Sequence, residues 1–260
     1  MAGFKEISAS QLMRLIGTPD APVLIDVCLD EDFHSDPYLI PSARRCKFDQ
    51  VNTLISELKD RRSVLICQKG KKLSHGAAAM LRAKGLTAEV LEGGNVAWSE
   101  RGLPRIPYSK IPRPALWVTR HRPKIDRIAC PWLIRRFVSP DAEFLFVPPS
   151  EVALVAEKTG ATPFDMPGGP WSHQGARCSF DAMVEGFGLD IPALHKLATV
   201  VRAADTNCHD LAPEAAGLLS LSVGLSRLHR DDNTQLEAGM VLYDALFRWA
   251  RDGQDEGHQQ

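Results

Sequence analysis

The chain has 260 residues, of which 44% are hydrophobic and 24% are charged. This composition is ordinary for a globular protein, and the length suffices for two domains. The formal net charge of −1 gives no global electrostatic reason for a nucleic-acid or membrane partner. No apolar run approaches the roughly 18 residues of a membrane helix.

The cysteines and the N-terminus indicate a cellular compartment. The first ten residues, MAGFKEISAS, contain no long apolar core and no cleavage motif, so we expect no secretory signal. The cysteines are widely spread and form no CxxC pair: Cys28, Cys46, Cys67, Cys130, Cys178 and Cys208. The sequence therefore predicts reduced thiols in a cytoplasmic protein.

Strand and helix patterns alternate in the first part of the chain. Short, β-branched apolar runs predict strands at 21–27, 62–67 and 87–93. Capping residues, helical spacing and glycine stops predict helices at 8–17 and 74–85. This alternation predicts an α/β domain with a doubly wound, mainly parallel sheet.

A proline-rich stretch separates the two halves, with Pro104, Pro107, Pro112 and Pro114 close together. Prolines at this density prevent regular helix and favour a semi-rigid extended segment. We therefore expect a first domain over 1–108, a linker over 109–115, a second domain over 116–252 and a disordered tail over 253–260.

The second half has mainly helical patterns. Apolar residues recur at helical spacing within 147–160, 192–205, 213–230 and 234–251. Between the first two of these helices, residues 165–181 are rich in glycine and proline, as loops that carry binding groups often are. The sequence predicts a mainly α-helical second domain.

Cys67 ends a predicted strand and precedes a predicted helix. At this edge of an α/β sheet, backbone N–H groups and a helix N-terminus form an anion-binding cup. Lys69, Lys71 and Lys72 add positive charge that favours the thiolate, and Gly70 allows a tight loop. The alternative is that Cys67 is a buried structural thiol at a strand end.

Four segments of the first half resemble the rhodanese family, in the same order along the chain. The loop around Cys67 resembles C-x-x-G-x-R, with Gly70 in place and Lys72 where the family usually has arginine. LIDVCLDEDF resembles L-I-D-V-R-x-x-x-E-F and retains Asp26. YLIPSA resembles G-H-I-P-G-A, and LEGGNVAWSERGLP resembles the closing L-x-G-G-x-x-x-W-x-x-x-G-x-P.

This resemblance implies a cytoplasmic sulfurtransferase that needs no cofactor in its rhodanese-like domain. Cys67 would accept sulfur as a persulfide from a small anion such as thiosulfate and pass it to a thiol acceptor. The substrate-binding residues would be Lys69, Gly70, Lys71, Lys72 and Asp26. Related phosphatase and arsenate-reductase loops have arginine at the position of Leu73, so the loop here has the shorter, sulfur-sized form.

Three replacements leave the activity open. Lys72 is a point charge that cannot present the planar fork of arginine. Cys28 stands where the family has arginine, and Leu39 where it has histidine. These changes also allow a vestigial domain that keeps the rhodanese fold without its activity.

The start of the second half is rich in cations. Residues 113–136 contain seven of them and one acid, Asp126: Arg113, Arg120, Arg122, Lys124, Arg127, Arg135 and Arg136. One interpretation is a solvated helix face; the other is an oxyanion site at Arg120, Arg127 and Arg135, because guanidinium groups match tetrahedral anions.

A second polar set predicts a metal site. His173, Asp181 and Asp205 offer an imidazole and two carboxylates, which suit a divalent ion such as Mn, Fe or Zn. Asp126, His121 and His209 are alternatives for a further ligand. The acids can equally serve as helix caps, and no tight signature such as HExxH supports the site.

The second half, residues 115–250, resembles the C-terminal domain of ChrB-type chromate-resistance proteins. The resemblance lies in WVTRHRPKIDRIACPWLIRRFVSPDAEFLFV, SHQGARCSFDAMVEGFGL, VRAADTNCHDLAPEAAGLL and LEAGMVLYDAL. Positions that match the family's polar pattern are Arg120, Asp126, Arg127, Arg135, His173, Asp181, Asp205 and Glu237. The resemblance implies a role in chromate resistance.

Three functions remain as hypotheses. The first is a sulfurtransferase fused to a chromate-stress domain, with chromate as a further possible ligand because it is a tetrahedral dianion like thiosulfate. The second is a chromate-responsive regulator that contacts DNA through 113–136, although no helix-turn-helix is evident. The third is a metal-dependent redox enzyme in the second domain. The sequence does not specify the oligomeric state.

Overall fold

The computed structural model describes residues 5–254. The chain divides into two compact units. One comprises the chain up to Ser109 with Arg136–Ser139, and the other comprises Lys110–Arg135 and the chain from Pro140 onward. Within the described residues, no helix is long and apolar enough to span a bilayer.

The first unit contains a five-stranded parallel sheet, whose order is β1-β6-β5-β2-β4. Its strands are β1 (Glu6–Ile7), β2 (Val23–Asp26), β4 (Arg44–Arg45), β5 (Ser63–Ile66) and β6 (Ala88–Leu91). A separate antiparallel pair joins β3 (Tyr38–Leu39) to β7 (Ile106–Pro107). All four residues of β5 are buried, as its continuous apolar pattern predicts.

Five helices accompany this sheet: α1 (Ala9–Leu15), α2 (Asp30–Ser35), α3 (Ile55–Leu58), α4 (Lys72–Ala83) and α5 (Gly94–Glu100). A 3₁₀ segment, Phe48–Leu54, precedes α3. Helix α1 begins as its sequence predicts, because Ser8 and Gln11 form a capping box. The predicted α/β class of this domain is confirmed.

The strand order places Cys67 at a favourable position for binding. From β2 the chain moves to β4 on one side, and then returns to β5 and β6 on the other. The carboxyl ends of β2 and β5 therefore flank the point where the strand order reverses, which is where open parallel sheets bind ligands. Cys67 directly follows β5.

The second unit combines six helices with a small sheet. The strands β8 (Leu116–Arg120), β9 (Glu143–Val147) and β10 (Thr162–Pro163) form a parallel sheet of order β10-β8-β9. The helices are α6 (Asp126–Leu133), α7 (Val152–Thr159), α8 (Ser179–Gly186), α9 (Pro192–Asp205), α10 (Ala215–Leu228) and α11 (Asp232–Asp252). A π-helical turn, Ile134–Val138, follows α6.

The mainly helical character predicted for this domain is confirmed, and the helix predicted over 192–205 has those bounds. The three-stranded sheet is an addition that the helical patterns do not predict. Its strands are two to five residues long, and β8 lies in the arginine-rich segment, where charge obscures the apolar pattern. Val118 nevertheless packs in an apolar cluster with Val152 and Ala161.

The region predicted as a linker contains a 3₁₀ turn at Tyr108–Lys110 and a cis peptide bond between Arg113 and Pro114. At the other end of the chain, α11 ends at Asp252. Most of the tail predicted over 253–260 lies outside the described residues.

Candidate functional sites

Cys67 occupies the loop between β5 and α4, and only 5% of its surface is exposed. The backbone N–H of Lys71 donates a hydrogen bond to Cys67 Sγ at 3.3 Å. The hydroxyl of Ser74, in the first turn of α4, lies 3.1 Å from the same sulfur. The sulfur thus lies at the N-terminal end of a 12-residue helix, where N–H groups and the helix dipole favour negative charge.

The turn between β6 and α5 packs closely against the backbone of the cysteine loop. Gly70 and Gly94 both have left-handed backbone, with φ of +60° and +61°. A Cβ on Gly70 would lie 2.5 Å from the carbonyl oxygen of Leu91, and a Cβ on Gly94 would overlap that of Cys67. The backbone N–H of Asn95 donates to the carbonyl oxygen of Cys67 at 3.1 Å. Both glycines are therefore required by the approach of two backbones.

The three lysines of the loop, Lys69, Lys71 and Lys72, have exposed side chains. Lys71 contributes its backbone N–H to the sulfur, whereas no contact among the described residues fixes the ammonium groups. The loop therefore combines a buried sulfur with exposed cations at the surface, an arrangement that attracts a small anion.

Asp26, predicted to bind substrate, is the last residue of β2. It is buried, and its two carboxylate oxygens accept hydrogen bonds from the backbone N–H of Cys28 at 2.9 Å and from the side-chain amide of Asn95 at 2.7 Å. Arg45 lies 4.0 Å away. These contacts join the ends of β2 and α5, so Asp26 positions the elements around the cysteine loop. Burial, reinforced by the Asp26 charge, raises the pKa of the Cys28 thiol.

In the second unit, one histidine meets three carboxylates. His173 Nε2 lies 3.2 Å from Asp205 Oδ2, 3.3 Å from Asp126 Oδ2 and 3.5 Å from Asp165 Oδ1. We call these four residues the carboxylate–imidazole cluster. Donor atoms of Asp126, His173 and Asp205 all lie within 4.8 Å of one another. The structure thus brings together His173, Asp205 and Asp126, which the sequence offered as metal ligands, and adds Asp165.

Three segments supply these side chains: the start of α6, the end of α9 and the loop before α8. Asp126 is the first residue of α6, Asp205 is the last residue of α9, and Asp165 follows β10. His173 lies in the glycine- and proline-rich loop before α8. The N–H of Ser179, the first residue of α8, faces Asp126 Oδ2 at 3.4 Å, so two helix N-termini support the charge of Asp126.

The crowding of these carboxylates alters their ionisation. Burial, with the nearby charge of Asp126, raises the pKa of Asp205 to about 7. Burial likewise raises the pKa of Asp165. The hydrogen bond to Asp126 is the largest cause that raises the pKa of His173 to about 9. His173 is therefore mainly protonated at neutral pH, and Asp205 titrates near neutral pH.

The predicted oxyanion site does not form as one cup. Arg120 and Arg127 both bind the carboxylate of Asp165. Arg135 instead binds Glu237 at 2.6 Å and the carbonyl oxygen of Ala142. The three guanidinium groups are thus neutralised by acids of the same unit, and they do not converge on a common point.

Asp181, which the sequence offered as a metal ligand, lies apart from the cluster. One carboxylate oxygen binds Arg202 at 2.7 Å, and the other accepts the backbone N–H of Cys178 at 3.0 Å. Asp181 is therefore a first-turn acid of α8, the alternative that its sequence position allowed. Among residues 5–254, neither His121 nor His209 belongs to the group of side chains that lie close enough to share a metal ion.

Sequence reasoning missed three residues that the sites use. Ser74 and Asn95 contact the cysteine loop. Ser74 follows the C-x-x-G-x-R segment and Asn95 lies at a variable position of the closing segment, so neither motif identifies them. Asp165 is the first residue of the glycine- and proline-rich loop that also carries His173. That shared loop was the available signal, since an acid and a histidine in one binding-type loop are candidates for one site.

Comparison with known protein families agrees with this division of the chain. Residues 8–101 match the model of the rhodanese-like domain, and residues 117–250 match that of the ChrB C-terminal domain. Protein ChrB of Cupriavidus metallidurans is 37% identical over 133 residues, which are 50% of this chain. The match covers 39% of that relative, so the chain spans well under half of its length.

Solved structures similar to the chain include a rhodanese-related protein and a thiosulfate sulfurtransferase. A rhodanese-related protein from Thermoplasma volcanium is 23% identical, with a TM-score of 0.34, and the match covers 40% of this chain and 98% of that one. A thiosulfate sulfurtransferase from Pseudomonas aeruginosa is 25% identical, with a TM-score of 0.35, over 40% and 19% of the two chains. On the family matches, the chain belongs to the ChrB C-terminal-domain family and carries a rhodanese-like domain ahead of that domain.

Proposed function

We propose that the chain is a sulfurtransferase that acts in chromate resistance and carries sulfur on Cys67. The donor is a small sulfur-containing dianion of the thiosulfate type, and the acceptor is a thiol. The single observation that carries this proposal is the position of Cys67 Sγ, which accepts the N–H of Lys71 at the start of α4.

The first step is a displacement at sulfur. The thiolate of Cys67 attacks the outer sulfur of thiosulfate, the S–S bond of the donor breaks, and sulfite leaves with its electron pair. Cys67 then bears a persulfide. Backbone N–H groups at the start of α4 stabilise its negative charge, as they do for anions at other helix N-termini.

The second step returns the enzyme to its initial state. An acceptor thiolate attacks the outer sulfur of the persulfide, which forms an acceptor persulfide and releases the Cys67 thiolate. The hydroxyl of Ser74 lies 3.1 Å from the sulfur and 3.1 Å from the carbonyl oxygen of Lys71. By rotating away from that carbonyl it can donate to the thiolate that the second step releases. The exposed lysines attract the incoming dianion.

A thiosulfate:cyanide assay tests this function. Wild type should form thiocyanate, and Cys67→Ser should reduce the rate to the uncatalysed level because serine cannot form a persulfide. Cys208→Ser is the matched control, since Cys208 is an exposed cysteine of the other unit. Equal and negligible rates for wild type and Cys67→Ser, with thiosulfate and with other sulfane-sulfur donors, would contradict the proposal.

The chromate-resistance context is inferred from the C-terminal domain family. The alternative of a DNA-binding regulator receives less support, because the arginines of residues 113–136 that have described contacts are used within the protein. Arg122, for example, donates to the carbonyl oxygen of His229 at 3.0 Å near the end of α10. A gel-shift titration at low salt checks this point, and a specific shift would favour the regulator.

A further inference from the structure

The carboxylate–imidazole cluster has a geometry that hydrogen bonding alone does not explain. A neutral or protonated imidazole carries at most one proton on Nε2. Yet oxygens of three different carboxylates surround His173 Nε2 at 3.2–3.5 Å. One N–H points well at a single oxygen, so the other carboxylates approach the nitrogen without a good hydrogen bond.

The separations fit ligands around a common cation. For bonds of about 2.1 Å, neighbouring ligand atoms are about 3.0 Å apart in an octahedron and about 3.4 Å apart in a tetrahedron. Asp205 Oδ2 and Asp126 Oδ2 lie 3.2 and 3.3 Å from His173 Nε2. The donor atoms of all three residues lie within 4.8 Å of one another, so one ion can contact all three after adjustment of the side chains.

We propose that Asp126, His173 and Asp205 bind one divalent transition-metal ion, of the Mn²⁺ or Fe²⁺ class. Carboxylate oxygens favour hard ions, and the imidazole favours a transition metal over Mg²⁺ or Ca²⁺. Three protein ligands leave coordination positions open. The side chain of His173 is 40% exposed and that of Asp205 is 16% exposed, so those positions open toward solvent, as in catalytic rather than structural metal sites.

Asp165 lies beside the proposed site without being one of its ligands. Its Oδ2 binds Arg120 and Arg127, and its Oδ1 accepts the hydroxyl of Ser179 at 3.1 Å. Oδ1 also lies 3.5 Å from His173 Nε2, the nitrogen that would bind the ion. Asp165 therefore adds negative charge next to the ion and neutralises the two arginines, which would otherwise repel it.

The test measures metal binding by the full chain after removal of bound metal with a chelator. Isothermal titration with Mn²⁺ should give one ion per chain. His173→Ala and Asp205→Asn should each weaken Mn²⁺ binding at least about 100-fold, because loss of a ligand exceeds the 10–100-fold effect of outer partners. Mg²⁺ should bind much more weakly than Mn²⁺ to wild type.

Matched controls lie on the same unit. His195 and Asp190 form an exposed pair at 2.8 Å, so His195→Ala and Asp190→Asn remove the same side chains away from the cluster. Both should retain wild-type affinity. Circular dichroism should show folded variants, since His173 is half exposed and Asp205→Asn is nearly isosteric. Mn²⁺ should raise the Tm of wild type and of both controls, and not that of His173→Ala.

Two results would overturn the proposal. One is the absence of stoichiometric Mn²⁺, Fe²⁺ or Zn²⁺ in chelator-treated, reloaded wild type. The other is unchanged binding in folded His173→Ala. Neither result bears on sulfur transfer at Cys67, because these measurements use binding and thermal stability and no sulfur donor.

Discussion

The cysteine loop and the carboxylate–imidazole cluster differ in what holds their functional atoms in place. Around Cys67, the fixed groups are largely main chain: the N–H of Lys71, the start of α4 and the glycines of the loop behind it. In the cluster, the fixed groups are side chains from segments up to 79 positions apart, counted from Asp126 to Asp205.

This difference predicts how each site responds to mutation. A site built from main chain should tolerate new side chains around it and fail when its backbone cannot adopt the required path. A site built from side chains should depend on each carboxylate and on the partners that orient it. The following predictions test this contrast, from the largest expected effect to the smallest.

Gly94→Ala should have the largest effect. The new Cβ would overlap the carbonyl oxygen of Cys67 at a backbone φ of +61°, and backbone cannot yield as a flexible side chain does. We expect a loss of stability above the roughly 1–3 kcal/mol of left-handed strain alone, together with loss of sulfur transfer. Thermal unfolding and the thiocyanate assay measure both effects.

Gly102→Ala is the matched control for this prediction. Gly102 also has positive φ, at +63°, but a Cβ there would meet no atom within 4 Å. Gly102→Ala should lower the free energy of unfolding by only about 1–2 kcal/mol and leave sulfur transfer intact. Equal effects of the two substitutions would show that close approach of the loops is unimportant.

Asp165→Asn should weaken Mn²⁺ binding about 10–100-fold, because it removes a negative charge beside the ion and leaves two arginines without their partner. Asp181→Asn should leave the affinity unchanged and lower only the Tm, since Asp181 binds Arg202 and caps α8. Calorimetry on both variants separates the roles. A weaker affinity in Asp181→Asn would restore that residue to the ligand set.

Lys72→Arg should raise kcat/KM for thiosulfate several-fold, because a planar guanidinium binds a tetrahedral oxyanion through two hydrogen bonds. The substitution also restores the residue that the rhodanese motif has there. Lys84→Arg, at the far end of α4, should change nothing. A decrease with Lys72→Arg would indicate that the shorter ammonium group is needed at the mouth of the loop.

The smallest expected effect is a difference in alkylation between the thiols of Cys28 and Cys208. Cys28 is buried, and burial raises the pKa of its thiol, so its reactive thiolate is scarce at neutral pH and should form only in more alkaline solution. Iodoacetamide at pH 7.5 should therefore label the exposed Cys208 and spare Cys28. Peptide mass spectrometry across pH reports each site, and rapid labelling of Cys28 at neutral pH would refute this.

Sequence patterns predict the first site better than the second for a physical reason. The cysteine loop is contiguous, so Cys67, Gly70 and the following helix are visible in one short segment. The cluster depends on tertiary contacts, and only the loop shared by Asp165 and His173 hints at it. Asp181 was predicted as a ligand because a first-turn acid and a metal ligand have the same local sequence.

The same distinction applies to the fold. Helix α9 was predictable because its apolar residues repeat along one face. The sheet of β8, β9 and β10 was not, since a parallel strand is stabilised by neighbours distant in sequence and leaves little periodicity when it is only a few residues long.

The packing of Gly70 against Gly93 and Gly94 also limits what the N-terminal domain can become. A loop large enough for phosphate would need an extra residue. The contact of Gly70 with Gly93 and Gly94 leaves no space for that residue on their side of the loop. Enlargement would require a simultaneous change in the turn after β6. A variant with a larger loop, whether evolved or engineered, must therefore change the cysteine loop and the turn after β6 at the same time. A single substitution is not expected to alter the size of the loop.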